Sequence, residues 1–364
     1  MKPRHAVAAY CAVLIAGMAL AQGIPGCRTT SQQSSNRRLV VLTNGSSPFW
    51  DAGAAGARNA ARDLKLDAAG LQVVIDRGDF TVETQLEKLK QYASSTDVAG
   101  VAISVTDENS QAIVDELRRL QESGVKVITI DSDLDRSKAR DARYAYIGTD
   151  NFVAGRELGK AAAALLPDGG PYAAFVGLKG ATNARERIGG FSEAAGPKFE
   201  QREVFGDGGE ADVARKNVRD ALDRNPELAM LAGIWSYNTP AIIDVVAELG
   251  VRDKLTIVGF DADPPAISGM QAGDVDVMLV QNPYQMGYQG VRLLKALLDD
   301  DMSTRDDILP DYGQPDGDLH DTGLKIVVPD ADSPLEPGMF LPNTEFLLLG
   351  EFQGWLRENG LTGS

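Results

Sequence analysis

The sequence predicts an α/β protein of two similar lobes, each a doubly wound parallel sheet with helices on both faces. Two observations lead to this fold class. Short β-branched runs that are apolar nearly throughout alternate with stretches of helical spacing, a pattern typical of strands buried on both faces. Ten such runs occur between residues 39 and 328. Because ten strands are too many for one comfortable sheet of this kind, they divide into two series.

The predicted strands and helices follow one another in regular order. The strands are 39–43, 72–76, 98–104, 126–131 and 144–148 in the first series, and 172–178, 229–234, 255–261, 276–281 and 324–328 in the second. The helices between them include 51–64, 83–92, 111–123 and 154–166. Ser47 before Pro48 has the residue types of a helix N-cap and first helical position, which supports a helix start there. Residues 342–356 show helical apolar spacing and are predicted to pack against a lobe as a tail.

Composition excludes several kinds of site. The 364 residues carry 36 Lys and Arg against 52 Asp and Glu, a net charge of −16, which argues against a nucleic-acid partner because phosphate binding needs a basic face. The histidines are His5 and His320, and the cysteines are Cys11 and Cys27. So few ligand-type residues nearly exclude a zinc site or a Cys–His nucleophile pair. No metal, cofactor or catalytic residue is therefore predicted.

The N-terminal segment has the features of an export signal. Lys2 and Arg4 precede sixteen uncharged residues, 6–21, which are too few for a typical spanning helix and suit a signal peptide core. Cys27 follows Gly26 and resembles the acylated cysteine of a bacterial lipobox, although Pro25 departs from that pattern. We predict a signal peptide at 1–26, a lipid anchor on Cys27, a flexible tether at 27–38 and a location outside the cytoplasm. The alternative is a conventional signal peptide with an incidental Cys27.

Polar side chains follow several predicted strands at the edge where open α/β sheets bind ligands. Carboxylates, amides and hydroxyls suit a neutral ligand rich in hydroxyl groups, and an aromatic ring suits the C–H face of a sugar. The residues of this kind are Asn44, Ser47, Phe49, Trp50, Asp79, Asp131, Asp261 and Gln281. Each also has a structural interpretation, since an Asp at a strand end often caps the next helix and Trp50 could belong to the core.

Six segments in order resemble motifs of the ribose-type periplasmic binding proteins. They are TNGSSPFW at 43–50, VITIDSD at 127–133, YIGTDN at 146–151, TNARERIGGF at 182–191, VGFD at 258–261 and QNPYQMG at 281–287. The resemblance implies the type I fold of this family, with two lobes joined by three hinge crossovers. The implied lobes are 39–149 plus 282–322, and 150–281 plus 323–364, the second including the tail.

The same resemblance implies roles for individual residues. Asp131 and Asp261 would accept hydrogen bonds from sugar hydroxyls, and Arg187 would donate to the sugar. Further contacts would come from Asn44, Ser47, Gln281 and Trp50, with Phe49, Asp79, Ser132 and Tyr237 nearby. Two departures stand out: ribose binders carry Arg where this chain has Ser132, and many members carry an amide where it has Tyr237. Ribose itself is therefore a doubtful ligand.

We accordingly predict an exported, monomeric protein that captures a monosaccharide by hinge closure and delivers it to an ABC importer. One alternative is a chemoreceptor partner or a sensor for a membrane receptor kinase. Another is a carbohydrate-active enzyme using paired carboxylates, but the chain has no GxxxxGK loop, GxSxG elbow or metal-spaced histidines. The segment 303–320 is longer and more acidic than the family's usual connection, and its role stays open.

Overall fold

The computed structural model describes residues 37–364 and contains, within that range, thirteen strands and twelve α-helices. The strands are β1 Arg37–Thr43, β2 Leu71–Arg77, β3 Val98–Ile103, β4 Lys126–Ile130, β5 Tyr146–Gly148, β6 Gly170–Val176, β7 Phe199–Gly206, β8 Met230–Gly233, β9 Thr256–Phe260, β10 Val277–Val280, β11 Leu319–Asp321, β12 Leu324–Val328 and β13 Thr344–Leu348. The helices are α1 Pro48–Asp63, α2 Val82–Ala93, α3 Gln111–Glu122, α4 Arg136–Ala139, α5 Asn151–Leu165, α6 Thr182–Ala195, α7 Ala211–Arg224, α8 Asn238–Leu249, α9 Pro264–Ala272, α10 Pro283–Asp299, α11 Met302–Ile308 and α12 Leu349–Glu358. The predicted signal peptide, Cys27 and most of the predicted tether lie outside the described residues.

The strands form two sheets, as the predicted fold class requires. The first has the order β11-β5-β4-β3-β1-β2 and the second the order β13-β12-β10-β9-β8-β6-β7. All the pairings are parallel except that of β10 with β12. Each sheet has a separate apolar cluster on either face, so residues 37–364 form four cores, two to a lobe. The fold class of two doubly wound α/β lobes is confirmed.

The chain passes between the two sheets three times, after β5, after β10 and after β11. The crossings lie side by side, because Thr322 in the third donates its backbone N–H to the carbonyl of Gly148 at the first. The Asn282 side chain in the second crossing donates to the carbonyl of Thr322. We propose that the lobe boundaries follow these crossings, at 149/150, 281/282 and 322/323.

Three strands were not predicted, and each has a physical reason. β7 is an edge strand whose polar residues interrupt the apolar pattern, and β11 is only three residues long. β13 occupies the first half of the tail that was predicted to be helical throughout, so that part of the prediction was wrong. In β13 the apolar residues alternate in period two: Leu347 packs on one core of the second lobe, and Phe346 and Leu348 pack on the other. β1 also begins at Arg37, inside the predicted tether, because the backbone N–H groups of Arg37 and Arg38 donate to the carbonyls of Gly70 and Asp97. Arg38 adds a bidentate ion pair with Asp97.

The acidic segment 303–320 is tied to the first lobe by a partly buried ion network. Asp318 accepts hydrogen bonds from both Arg140 and Arg143. The Arg143 side chain is fully buried and also donates to both carboxylate oxygens of Asp133, at 2.9 and 2.7 Å. Burial opposes ionisation of Asp318, but the hydrogen bonds from the two arginines outweigh it and lower its pKa to about 2. The network therefore links the loop after β4 to the approach of the third crossing.

Candidate ligand-binding site

Asp131 and Asp261 each follow the last residue of a central strand, at the edge where the two lobes face one another. Asp131 comes directly after β4 and Asp261 directly after β9. The Asp131 carboxylate accepts a hydrogen bond from Ser104 Oγ at 2.8 Å, and that of Asp261 accepts from Gln281 Nε2 at 3.0 Å. Each carboxylate is thus oriented by a side chain from the end of a neighbouring strand, which leaves its second oxygen for another donor.

Arg187 places a cation beside these two carboxylates. It lies on α6, is 3% exposed, and its guanidinium sits over the Phe260 ring with the central carbon 4.6 Å from the ring centroid. Its Nε donates to Asn151 Oδ1 at 2.9 Å and its Nη1 to the carbonyl of Ile234 at 3.2 Å. Neither of these bonds uses Nη2. The guanidinium is therefore held in place by protein groups and keeps donor capacity for a ligand.

Burial has the largest effect on the pKa values of Asp131 and Asp261, and neighbouring charges modify it. Burial raises the pKa of Asp131 to about 6. The charge of Arg187 opposes this shift, and the charge of Asp261 adds to it. Burial also raises the pKa of Asp261, against the opposing effect of Arg187. Asp131 ends a strand of the first sheet and Asp261 a strand of the second, so the site combines charges from both lobes.

Gln281 carries a buried acceptor that no group of the described chain satisfies. Its side chain is 2% exposed, its Nε2 donates to Asp261, and its Oε1 has no hydrogen-bond partner within residues 37–364. A buried unpaired carbonyl oxygen costs about 1–3 kcal/mol. A donor group placed beside this oxygen would remove that cost.

The second lobe presents polar and aromatic side chains near the ends of β7 and β8. Asp207, directly after β7 and 5% exposed, accepts hydrogen bonds from the Tyr237 hydroxyl and from Asn238 Nδ2, the latter at 2.8 Å. Burial raises the pKa of Tyr237, and the bond to Asp207 raises it further, so the phenol stays neutral. Trp235 packs edge-on against Tyr237 with ring centroids 6.5 Å apart. Asp263 adds another carboxylate. Burial, reinforced by the charge of Asp261, raises the pKa of Asp263 to about 6.

The segment 43–50, here called the first ligand loop, packs largely on itself. The Trp50 indole N–H donates to Asn44 Oδ1 at 2.8 Å, and the ring is 2% exposed in a core of the first lobe. Phe49 is also buried there and meets Trp50 edge-on, with ring centroids 5.1 Å apart. Ser47 precedes α1, is partly buried and makes no side-chain hydrogen bond to the helix, so its hydroxyl is available.

Two further predicted residues have local roles in the structure. Asp79 is exposed, and its carboxylate accepts hydrogen bonds from the backbone N–H and hydroxyl of Thr81 and from the Thr84 hydroxyl at the start of α2. Those bonds lower the pKa of Asp79 and make it part of the helix cap. Ser132 is partly buried beside Asp131, and its backbone carbonyl accepts from the N–H of Val105.

The two lobes also touch directly at the cleft. Glu108, in the loop after β3, accepts a hydrogen bond from the Thr182 hydroxyl at the start of α6. Arg185, one turn along α6, lies 3.4 Å from the second carboxylate oxygen of Glu108 and donates to Thr182 Oγ1 at 2.9 Å. This cluster of Glu108, Thr182 and Arg185 connects the lobes on the same helix that carries Arg187.

Sequence reasoning missed several residues of this site. Ser104 is the last residue of the predicted strand 98–104 and could have been found by the rule that identified Asp131. Asp207 was missed because β7 was missed. Asn151 and Thr182 lie in two of the family-like motifs but received no role, and Glu108 lies in none of them. Their contacts arise only when segments far apart in the chain meet.

The part of the chain that the structure describes contains no candidate metal site and no candidate membrane-spanning helix. Between residues 37 and 364, no group of three or more His, Cys, Asp or Glu side chains is arranged to hold a metal ion. None of the helices in that range combines the length and apolar character needed to cross a membrane. The predicted lipidation residue, Cys27, lies outside it.

Two α/β lobes whose polar groups meet in a shared cleft define a solute-binding protein. The family model described as "Periplasmic binding protein domain" matches residues 39–302, and the chain belongs to that family. Membership of a periplasmic family makes the chain an exported protein.

Relatives and solved structures agree with this assignment. The chain is 26% identical over 280 residues to the D-allose-binding periplasmic protein of Escherichia coli, covering 73% of this chain and 86% of that one. It is 22% identical over 293 residues to the ribose import binding protein of Salmonella typhimurium, covering 79% and 92%. A solute-binding protein of an ABC transporter from Burkholderia graminis, solved in complex with D-arabinose, superposes with a TM-score of 0.69 at 27% identity, covering 82% and 96%. These names describe binding proteins rather than enzymes.

Proposed function

We propose that this protein captures a monosaccharide in the cleft between its lobes and delivers it to an ABC importer. The observation that carries the proposal is the set of charged and polar groups that the two lobes bring together at the cleft. Asp131 from one lobe and Asp261 from the other supply carboxylates, and Arg187 supplies a guanidinium. Gln281 adds an amide whose Oε1 has no hydrogen-bond partner within residues 37–364. A neutral ligand with several hydroxyl groups can donate to the carboxylates and to Gln281 and accept from the guanidinium.

The proposed contact set includes most of the predicted residues. Asp131, Arg187, Asp261 and Gln281 form its centre, with Ser47, Ser132 and Tyr237 at its edge. Phe49 and Asn44 support the first ligand loop. Asp79 and Trp50 stand outside the set, because Asp79 caps α2 and Trp50 is buried with its N–H already bonded.

Closure follows from the position of the charged groups. A sugar that contacts Asp131 and Asp261 together is held by both lobes, so its binding free energy favours the closed arrangement. The contact of Glu108 with Thr182 and Arg185 is available only when the lobes lie this close. A permease that binds the closed form better than the open form would thereby distinguish loaded from empty protein.

A thermal-shift screen of the exported chain tests the ligand class. The panel is D-allose, D-ribose, D-arabinose, D-glucose and D-galactose, with adenosine and L-glutamate as controls of other classes. A ligand at 100 times its Kd stabilises the folded state by about 2.7 kcal/mol, which raises Tm by several degrees. We expect a shift with at least one sugar. A shift with adenosine or L-glutamate and with none of the sugars would contradict the proposal.

We further propose that the protein is a monomer, has no enzymatic activity and is lipid-anchored through Cys27. A Cys27→Ser variant is expected to leave the membrane fraction and appear in the soluble fraction. Retention of that variant on the membrane would contradict the anchor, while leaving the proposed sugar site untouched.

A further inference from the structure

The segment after α12 runs beside the loop that carries Asp261. α12 buries Leu349, Phe352 and Leu356 in a core of the second lobe. Gly360 then takes a left-handed conformation with φ of 66°, and the N–H of Leu361 donates to the carbonyl of Leu356 at 2.8 Å. This turn directs residues 361–364 back toward the cleft edge of the sheet.

Two backbone hydrogen bonds fasten the segment 361–364 to Ala262, the residue after Asp261. The N–H of Ala262 donates to the carbonyl of Ser364 at 2.7 Å, and the N–H of Ser364 donates to the carbonyl of Ala262 at 3.1 Å. Ser364 is 0% exposed. Asp261 has a left-handed backbone with φ of 62°, which a non-glycine residue keeps only when its surroundings hold it. The bonds to Ala262 are part of those surroundings.

Gly363 lies between the two lobes. A Cβ atom at this position would stand 2.7 Å from the carbonyl oxygen of Ala262 and 3.1 Å from Cδ of Pro264, both in the second lobe. The same atom would stand 3.3 Å from Cβ of Pro48, which begins α1 of the first lobe directly after Ser47. The close approach of three chain segments at Gly363 leaves no room for a side chain.

The helix before this segment contacts the crossings as well. The Trp355 ring of α12 meets Tyr284, just after the second crossing, edge-on at 6.3 Å between centroids. The Lys325 ammonium, just after the third crossing, lies 4.9 Å from the Trp355 ring centroid. Residues 349–364 therefore touch two hinge segments, the Asp261 loop and the start of α1.

We propose that residues 361–364 are a positioning element for ligand binding. They hold the backbone after Asp261 and fill the gap between that loop and Pro48, so the carboxylate and the first ligand loop keep the spacing that a ligand bridging both lobes requires. This inference rests on the proposed function of the cleft. It adds a role for a segment that none of the predicted contacts includes.

A matched pair of glycine substitutions in the exported chain tests this inference. In the Gly363→Ala variant the new methyl group meets Ala262 and Pro48, whereas at Gly350, on the exposed face of α12, an added Cβ meets no atom within 4 Å. Gly350→Ala is therefore the control. A third variant ends at Gly360. For each, the measurements are the Kd for the sugar found in the screen, the melting temperature, and amide hydrogen exchange of peptides covering 261–268 without ligand.

We expect Gly363→Ala and the shortened chain to weaken sugar binding tenfold or more, with faster exchange in 261–268. Gly350→Ala should match the parent chain in both measurements. Parent-like Kd and exchange in both Gly363→Ala and the shortened chain would overturn the inference. If the parent chain binds no sugar, the proposed function fails, and the exchange measurement alone still decides whether residues 361–364 hold the Asp261 loop.

Discussion

Asp131 and Asp261 occupy equivalent positions in the two lobes and share one backbone conformation. Each follows the fourth strand of its half, and their φ values are 60° and 62°. The N–H of Asp131 donates to the carbonyl of Ile147 in β5, and the N–H of Asp261 donates to the carbonyl of Leu279 in β10. The left-handed conformation turns each carboxylate out of its strand and is costly for a residue with a Cβ. Two such carboxylates, one from each side, are what the proposed ligand site requires.

The ionised carboxylate of Asp131 is expected to lower the stability of the ligand-free protein. Because burial raises its pKa to about 6, the folded protein binds this proton more tightly than the unfolded chain does. Ionisation of Asp131 above pH 6 therefore destabilises the fold, and the effect fades as the pH falls toward 4. We expect Asp131→Asn to raise the free energy of unfolding of the ligand-free protein by on the order of 1–3 kcal/mol at pH 8. Urea unfolding at pH 8 and pH 4.5 measures this, and an equal effect at both pH values would contradict it.

The contact between Glu108 and α6 predicts a change in ligand release. Glu108→Ala removes the acceptor that joins the lobes at Thr182 and Arg185, and a partly exposed contact of this kind contributes about 0.5–1.5 kcal/mol. We expect roughly a 2- to 10-fold weaker Kd, mainly through faster sugar release in stopped-flow fluorescence. The control is Glu122→Ala at the exposed end of α3. Identical release rates in the two variants would exclude a role in closure.

The ion network beneath the Asp131 loop predicts a large loss of stability. Asp318→Asn leaves the buried Arg143 with one carboxylate instead of two, and losing charge-assisted hydrogen bonds of this kind costs about 1.5–3 kcal/mol. Asp316→Asn removes an exposed partner of Arg140 and should cost less than about 1 kcal/mol. Urea unfolding at pH 7 compares the two variants. Similar losses for both would show that the buried network does not support the fold.

Close helix packing predicts how Arg187 is positioned. α5 and α6 approach so closely that a Cβ at Gly155 would overlap the carbonyl oxygen of Arg187. Gly155→Ala should therefore displace α6 and weaken sugar binding tenfold or more. At Gly189, also on α6, an added Cβ would stand 3.6 Å from the Phe152 ring, an ordinary contact, so Gly189→Ala is the control. Calorimetric titration of both variants with the sugar measures the effect. Parent-like binding by Gly155→Ala would contradict the claim that close packing of α5 and α6 positions Arg187.

The alternation of strand and helix was sufficient to predict both sheets and their central strands, because parallel strands buried on both faces leave a clear apolar pattern. The positions of Asp131, Asp261 and Gln281 at strand ends followed from the same reasoning. The hydrogen bonds of Asp79 and Trp50 could not be predicted, since a carboxylate or indole beside a ligand loop looks the same in sequence whether it faces a ligand or the protein. The contacts of Glu108 and Gly363 depend on how the lobes meet, which local patterns do not encode.

The most direct test of the account is calorimetric titration of the exported chain, and of its Asp131→Ala and Asp261→Ala variants, with the sugar that gives the largest thermal shift. One carboxylate comes from each lobe, so a ligand that bridges the cleft loses a charge-assisted hydrogen bond in either variant, worth about 1.5–3 kcal/mol. We predict one-to-one binding by the parent chain and at least tenfold weaker binding by each variant. Unchanged affinity in both variants would contradict the proposed site.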